Sequence, residues 1–250
     1  MFLPRLYPIL DAVFFADANA LLAAAEELAA AGATLIQYRN KSGSARVVLE
    51  QGRELRRVLT AQSQNPHPIA QGATRVGRPV FAIPALGVQD QNPHSNVAKN
   101  APLEWATRSV WLIMNDRADL CVAADFDGVH VGQDDLSAES VRKIIGADRW
   151  LGISTHNPEQ VREADGTSAD YLAIGPVFAT SSKDRPGPVV GLEGVRRARE
   201  LTRKPLVAIG GITRANAASV IEAGADSVAV ISDLLREPGK SAEEFFRILR

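Results

Sequence analysis

Short apolar runs alternate with stretches of helical periodicity along almost the whole chain, and that alternation most limits what it can fold into. Apolar runs stand at residues 6–10, 34–39, 110–114, 129–131, 150–154, 171–175, 206–209 and 227–231. Helical patterns follow them at 18–31, 45–59, 118–124, 138–145, 158–164, 192–202, 215–223 and 242–249. Gly32 stops the first helix, Ser137 can cap the fourth, and Pro158 suits the first turn of the fifth. Parallel strands joined by helices are the outcome of such an order. Eight units predict a closed (β/α)8 TIM barrel, an α/β fold that runs to this length as a single domain, here residues 1–250. An open doubly wound sheet is the alternative, but it would leave its outer strands as edges. The last strands are as apolar as the middle ones, which favours closure.

One stretch departs from this order. Residues 60–109 are rich in Gln, Asn, Pro and Gly, with one short apolar piece at 80–86. So long a connection is unusual inside a compact domain. It joins a helix to the next strand, so it belongs at the barrel's N-terminal face, opposite the face where barrel active sites lie. The expectation is a flexible surface insertion, with His67 and His94 solvated.

Composition excludes several classes of function. A formal net charge of −1 offers no general attraction to nucleic acid or to a membrane surface, so an anion must meet a local basic cluster. Cys121 is the only cysteine; it rules out an internal disulfide and a multi-cysteine zinc site, and its setting LCVAAD reads as the buried side of a helix. The first residues, MFLPRLYPIL, lack a basic start followed by a long apolar stretch, and no run approaches the roughly 18 residues that span a bilayer. The expectation is a cytoplasmic protein acting on small molecules, with assembly into a homo-oligomer left open.

Chemistry in a barrel sits at the C-terminal ends of the strands and in the loops beyond them. Those positions hold Gln37, Arg39 and Lys41; Asn115 and Asp116; Gln133, Asp134 and Asp135; Ser154, Thr155 and His156; Thr180 to Lys183; Gly210 and Gly211; and Ile231 and Ser232. Alternation along the second strand turns Gln37 and Arg39, and with them Lys41, toward one face, where a guanidinium fork and a mobile ammonium suit phosphate oxygens. Asp116 and Asp135 each precede a helix, so each could be an N-cap. Two at adjacent strand ends facing a basic cluster instead suggest a hard-cation site, with Asp134 a solvated neighbour. The loop 179–191 combines hydroxyl residues, Lys183 and glycines, as an anion-binding flap would. Gly210-Gly211 after strand seven and Ile231-Ser232 after strand eight stand where barrels bind phosphate. His156 is a weaker acid/base candidate, and His130, on the fourth strand, reads as packed.

With these residues in place, the chain resembles the thiamine-phosphate synthases from residue 6 to residue 235. The resemblance rests on QYRNK, NDRADL, GVHVGQDDL, LGISTHN, YLAIGPVFATSSK, VAIGGI and AVIS. That family joins 4-amino-2-methyl-5-(diphosphooxymethyl)pyrimidine to a thiazole phosphate and releases diphosphate through a dissociative, Mg²⁺-dependent reaction. The resemblance implies that Gln37, Arg39, Lys41, Asn115, Ser154 and Lys183 bind the pyrimidine diphosphate, with Arg39, Lys41 and Lys183 catalytic. It implies Asp116 and Asp135 as Mg²⁺ ligands, and Thr180, Ser182, Gly211, Ile231 and Ser232 for the thiazole phosphate. This chain departs from the family pattern at Tyr38 and Asn40, where an aliphatic and an acidic residue are usual, at Ser182 in place of a threonine, at Pro8 in the first strand, and in its longer insertion. Two other readings use the same barrel. A thiazole tautomerase-like enzyme would need an acid/base such as His156 but no diphosphate clamp, and a non-catalytic barrel binding a phosphorylated metabolite would need no paired carboxylates.

Overall fold

The computed structural model describes residues 3–64, 110–180 and 187–250. Eight parallel strands close into a barrel in chain order: β1 (Leu6–Asp11), β2 (Leu35–Arg39), β3 (Trp111–Asn115), β4 (Gly128–Val131), β5 (Trp150–Thr155), β6 (Tyr171–Ile174), β7 (Leu206–Ile209) and β8 (Ser227–Val230). The helices are α1 (Ala18–Ala30), α2 (Ala45–Gln64), α3 (Ala118–Ala123), α4 (Ala138–Ile145), α5 (Pro158–Asp165), α6 (Gly191–Leu201), α7 (Ala217–Glu222) and α8 (Pro238–Ile248). The expected TIM barrel is therefore the fold. Among the described residues no helix is long and apolar enough to cross a membrane.

The element ends follow local chemistry. Asp17, Ser137 and Asn157 each accept the backbone N–H three residues on, capping α1, α4 and α5, and Pro158 sits in the first turn of α5. Gly32, at φ +104°, releases the chain from α1 in a conformation that β-carbon sterics deny to other residues. Two helices depart from their sequence pattern. α2 runs to Gln64, five residues past Leu59, so it absorbs the start of the expected insertion; the remainder, with His67 and His94, lies outside the described residues. α8 begins at Pro238 rather than Ala242, because Pro-Gly is tolerated in a first turn although it reads as a loop.

Period-two alternation divides the core into two shells. Ile36, Tyr38, Leu112, Met114 and Val129 point outward to the helices, while Tyr7, Ile9, Leu35, Ile113, Tyr171, Val207 and Ala229 fill the barrel. Trp111 and Trp150 pack at 4.5 Å between ring centroids and join this inner cluster. Cys121 is buried in the outer shell, its Sγ 3.2 Å from the Gly128 carbonyl, and burial pushes its thiol up to about 12. It is the inert core thiol expected.

A device not foreseen from the sequence repeats every second strand. The aspartate just before β4, Asp127, accepts the Leu112 N–H of β3 at 2.7 Å and Arg56 of α2 at 2.6 Å, while its own N–H returns to the Leu112 carbonyl. Before β6, Asp170 treats Leu151 of β5 and Arg142 of α4 in the same way, both at 2.7 Å. Before β8, Asp226 does so with Leu206 of β7 and Arg199 of α6, both at 2.8 Å. Each clasp ties a helix to the following pair of strands at the N-terminal face. Removing one partner of a buried pair costs far more than removing an exposed one. Asp127 has a fully buried side chain and that of Asp226 is 48% exposed. Asp127→Ala should therefore lower unfolding stability by about 3–5 kcal/mol, and Asp226→Ala by about 1 kcal/mol; urea denaturation of the two variants gives the comparison, and equal losses would show that burial does not set the cost.

Candidate functional site

The C-terminal rim is assembled from the strand ends upward. Asp11 ends β1 directly opposite Arg39 of β2 in the strand register. Its carboxylate pairs with the Arg39 guanidinium and also accepts the Val13 N–H at 3.3 Å, closing a 3-10 turn at Ala12–Phe14. Asp11 is 2% exposed, so the pair is desolvated and fixes the guanidinium plane. Two residues further on, Lys41 crosses to β3 and meets Asp116 at 3.2 Å. Tyr38 points the other way, into the helix layer, where Asn40 donates to the Tyr38 hydroxyl at 3.3 Å and to Gln51 of α2 at 2.9 Å. Tyr38 and Asn40, two of the departures from the family pattern, thus interlock behind the strand. Asn40 also accepts the Gly43 N–H at 2.8 Å, shaping the loop that carries Lys41.

Asp116 follows β3 at φ +62°, a left-handed conformation that costs a non-glycine residue energy. Its N–H donates to the His130 carbonyl of β4 at 2.8 Å, which holds it there. Burial and the neighbouring Asp135 carboxylate raise its carboxyl above the usual range, against the pull of Lys41. Asp135 is oriented by the Gly132 N–H at 2.7 Å. Neither aspartate caps a helix: α3 has no side-chain cap and α4 takes Ser137. Asp134 is exposed, as expected. Two carboxylates are thus set side by side at an electrostatic cost, offering hard oxygen donors to a divalent cation. Among the described residues no group of three or more His, Cys, Asp or Glu converges into a site that could hold a metal ion. Asn115, one residue before, is half-buried at the same rim.

Below the rim a chain of polar groups crosses the barrel. Gln37 donates from Nε2 to the Tyr7 hydroxyl at 3.0 Å, and the Tyr7 hydroxyl lies 2.9 Å from that of Tyr171. The Tyr171 hydroxyl is 3.1 Å from His130 Nδ1, and His130 Nε2 is 2.8 Å from Ser154 Oγ. Gln133 bonds the Ser154 carbonyl at 2.5 Å. Desolvation pushes both tyrosine hydroxyls well above their ordinary value, so both keep their protons. Gly152 faces inward between His130 and Tyr171 in the strand register, and a β-carbon on it would sit 2.4 Å from His130 Nδ1 and 2.1 Å from Tyr171 Cζ. Its missing side chain is what lets the two meet.

The opposite side of the rim is built from β6, β7 and β8. Gly210 and Gly211 stand at φ +99° and +64°. The β6 loop packs on them, Phe178 N–H to the Gly210 carbonyl at 3.0 Å, so closely that a β-carbon on Gly211 would lie 2.5 Å from the Ala179 carbonyl. Arg214 ties this loop to the next, donating its backbone N–H to Asp233 at 2.9 Å and its guanidinium to Asp233 and Glu244. Ile231 and Ser232 immediately precede that aspartate. Thr180 is half-buried at the edge of the described chain; Ser181, Ser182 and Lys183 lie outside the described residues.

His156 sits apart from this cluster. Its Nδ1 bonds the Gly175 carbonyl, its N–H donates to Gln160 at 2.7 Å, and its ring lines a cavity of about 190 Å³ with Pro158, Val161, Val190 and Ala198. It braces β5 against β6. Arg39, Lys41, Asn115, Asp116, Asp135, Gly211 and Ile231-Ser232 belong to the one rim, with Gln37 and Ser154 in the polar row that leads up to it. The sequence reading missed Asp11, Tyr7, Tyr171 and Arg214. The alternation applied to the second strand, applied also to the first, turns Tyr7, Ile9 and Asp11 inward and would have put Asp11 at the mouth.

Comparison with known proteins gives the family. The thiamine monophosphate synthase family model matches residues 64–234. The thiamine-phosphate synthase of Koribacter versatilis is 48% identical over 250 residues, covering 99% of this chain and 96% of that protein. That of Chloroflexus aurantiacus is 36% identical over 228 residues, or 91% of this chain and 83% of the other. Among solved structures, a thiamine phosphate pyrophosphorylase from Pyrococcus furiosus superposes with a TM-score of 0.71 at 26% identity, over 98% of this chain and 95% of that one. A match of this length and identity, on a barrel of this kind, leaves one assignment: the chain belongs to the thiamine-phosphate synthase family.

Proposed function

We propose that this protein is a transferase that joins 4-amino-2-methyl-5-(diphosphooxymethyl)pyrimidine to a thiazole phosphate, forming thiamine phosphate and diphosphate. The observation that carries the reading is the cluster at the ends of β2, β3 and β4: two carboxylates forced together, Lys41 on one of them, and Arg39 fixed alongside by Asp11. A diphosphate with its counter-cation complements such a mixed cluster.

Asp116 and Asp135 would hold Mg²⁺, which leaves most of its coordination to water and phosphate oxygens and so is suited to a two-carboxylate site. Bound there, Mg²⁺ supplies charge neutralisation for the departing diphosphate. The remaining chemistry falls to side chains of this chain and to the substrates. The methylene C–O bond breaks and its electron pair leaves with the diphosphate. Arg39 and Lys41, with Lys183 by its motif, stabilise the charge that gathers there. The amino-substituted ring delocalises the cation left on the methylene, and the thiazole nitrogen closes the new C–N bond with its lone pair. No protein nucleophile takes part, in keeping with a buried, protonated Cys121.

Gln37, Asn115 and Ser154 would orient the pyrimidine. The N–H groups of Gly211 and of Ile231-Ser232, with the hydroxyls of Thr180 and Ser182, would receive the thiazole phosphate. Ser182 and Lys183 enter on the motif alone. Holding both reactants face to face supplies much of the remaining acceleration. A tautomerase-like reading draws no support from His156, whose ring nitrogen is committed to the Gly175 carbonyl.

The purified protein should form thiamine phosphate from the two substrates only when Mg²⁺ is supplied, and Asp116→Ala or Lys41→Ala should lower kcat/KM by about 10²–10³-fold, the usual effect of removing one group that stabilises developing charge. Binding of thiazole phosphate by wild type with no product in the presence of Mg²⁺ would sink the synthase reading.

The raised carboxyl of Asp116 also sets a stability test. Its ionised form is disfavoured in the fold, so metal-free wild type is penalised at neutral pH, and the penalty disappears as pH falls below the usual carboxylate range. Asp116→Asn should therefore unfold at higher urea than wild type at neutral pH in the presence of a chelator, with the gap closing in acid. A variant less stable than wild type at neutral pH would contradict this account of the pair.

A further inference from the structure

We propose that the buried row Gln37–Tyr7–Tyr171–His130–Ser154 is a hydrogen-bond relay of fixed direction, which makes Ser154 Oγ a donor into the barrel mouth and selects a ligand ring nitrogen with a free lone pair. This rests on the synthase reading for the identity of the ligand, an aminopyrimidine, but its direction does not.

The direction follows from counting protons. A carboxamide nitrogen only donates, so Gln37 Nε2 gives a proton to the Tyr7 oxygen. The Tyr7 and Tyr171 rings are 1% and 0% exposed, so water is no alternative partner for either hydroxyl. Leaving a buried hydroxyl proton unbonded costs about 1–3 kcal/mol, so Tyr7, already an acceptor, donates onward to Tyr171 at 2.9 Å. Tyr171 in turn donates to His130 Nδ1 at 3.1 Å. A neutral imidazole that accepts at Nδ1 carries its proton on Nε2, and that proton goes to Ser154 Oγ at 2.8 Å. The serine's own proton is the one left over. Ser154 is half-buried at the mouth, where the other four members are buried.

Gly152 shows that the row is built rather than incidental. Any other residue there would drive a β-carbon into both Tyr171 and His130. Tyr171 and His130 thereby become positioning residues: neither needs to touch a substrate, and both act through the serine.

The first measurement needs no activity. In the metal-free wild type, long-range ¹⁵N–¹H NMR of His130 should show the neutral ring protonated at Nε2, with Nδ1 the unprotonated nitrogen. An Nδ1-protonated or doubly protonated ring overturns the relay. Tyr171→Phe keeps the ring over Gly152 but cuts the row; it should raise the KM for the pyrimidine diphosphate about tenfold, the size of one hydrogen bond, and leave the KM for thiazole phosphate unchanged. Equal changes in both constants would mean a merely structural role and overturn the proposal. Replacing the ring nitrogens of the pyrimidine one at a time by C–H should identify one analogue that binds wild type about tenfold more weakly and binds Ser154→Ala no differently from the parent compound. If neither does, the serine is not the donor. Failure of the synthase reading itself would appear separately, as no product from wild type with the His130 spectrum as expected.

Discussion

A closed barrel of eight parallel strands leaves each strand residue two directions, inward or toward the helices, and everything at the rim depends on that restriction. A side chain two residues further along a strand faces the same way and sits one layer higher. Arg39 stands above Gln37, and Gln37 above Leu35, so the inner row passes from apolar floor to polar middle to charged mouth within five residues of β2. β1 turns Tyr7, Ile9 and Asp11 inward, and its charge likewise stands at the mouth. The charged groups meet because the strands end together, and the register that pairs Asp11 with Arg39 also sets the depth at which the guanidinium stands.

Inside this frame, charge is arranged at a cost. Asp116 occupies a left-handed backbone conformation next to a second carboxylate, and among the described residues Lys41 offsets the repulsion. Local strain and like-charge crowding at one spot are what a fold tolerates where it must act, with stability supplied elsewhere. Here the apolar shells and the aspartate clasps at the other end of the barrel do so. The polar row through the middle is a different case. Every hydroxyl and ring nitrogen along its buried length is paired, and only the half-buried Ser154 proton at its end is left over, so the row adds direction to the interior.

Much of this was legible in the residues. The strand and helix alternation was enough for the barrel, and strand ends were enough to place Gln37, Arg39, Lys41, Asn115, Asp116, Asp135 and Ser154 at one end of it, because such a position is a matter of counting. Partners across the barrel were harder to read. Asp11 lies 28 residues from Arg39, Tyr7 lies 164 from Tyr171, and such pairs depend on register, which the sequence does not state. The helix boundaries that shifted did so where propensity misleads: Pro238-Gly239 begins a helix although it reads as a stop, and α2 continues through polar residues past Leu59. His130 read as packed, and it is; its two ring nitrogens acquire meaning only from Tyr171 and Ser154.

The clasps at Asp127, Asp170 and Asp226 divide the barrel in a way the strands alone do not. Each is closed within a block of an even helix, the odd strand after it and the even strand beyond, and no clasp bridges two blocks. Three blocks are locked in this manner. The fourth would run from α8 through β1 to β2, and there Thr34 precedes the strand in place of an aspartate. The molecule therefore resembles a ring of four segments with three latched and one open. Its quarter-wise build is a modular plan in which the one unlatched quarter carries Gln37, Arg39 and Asp11, its two strands joined instead at the mouth by a guanidinium and a carboxylate.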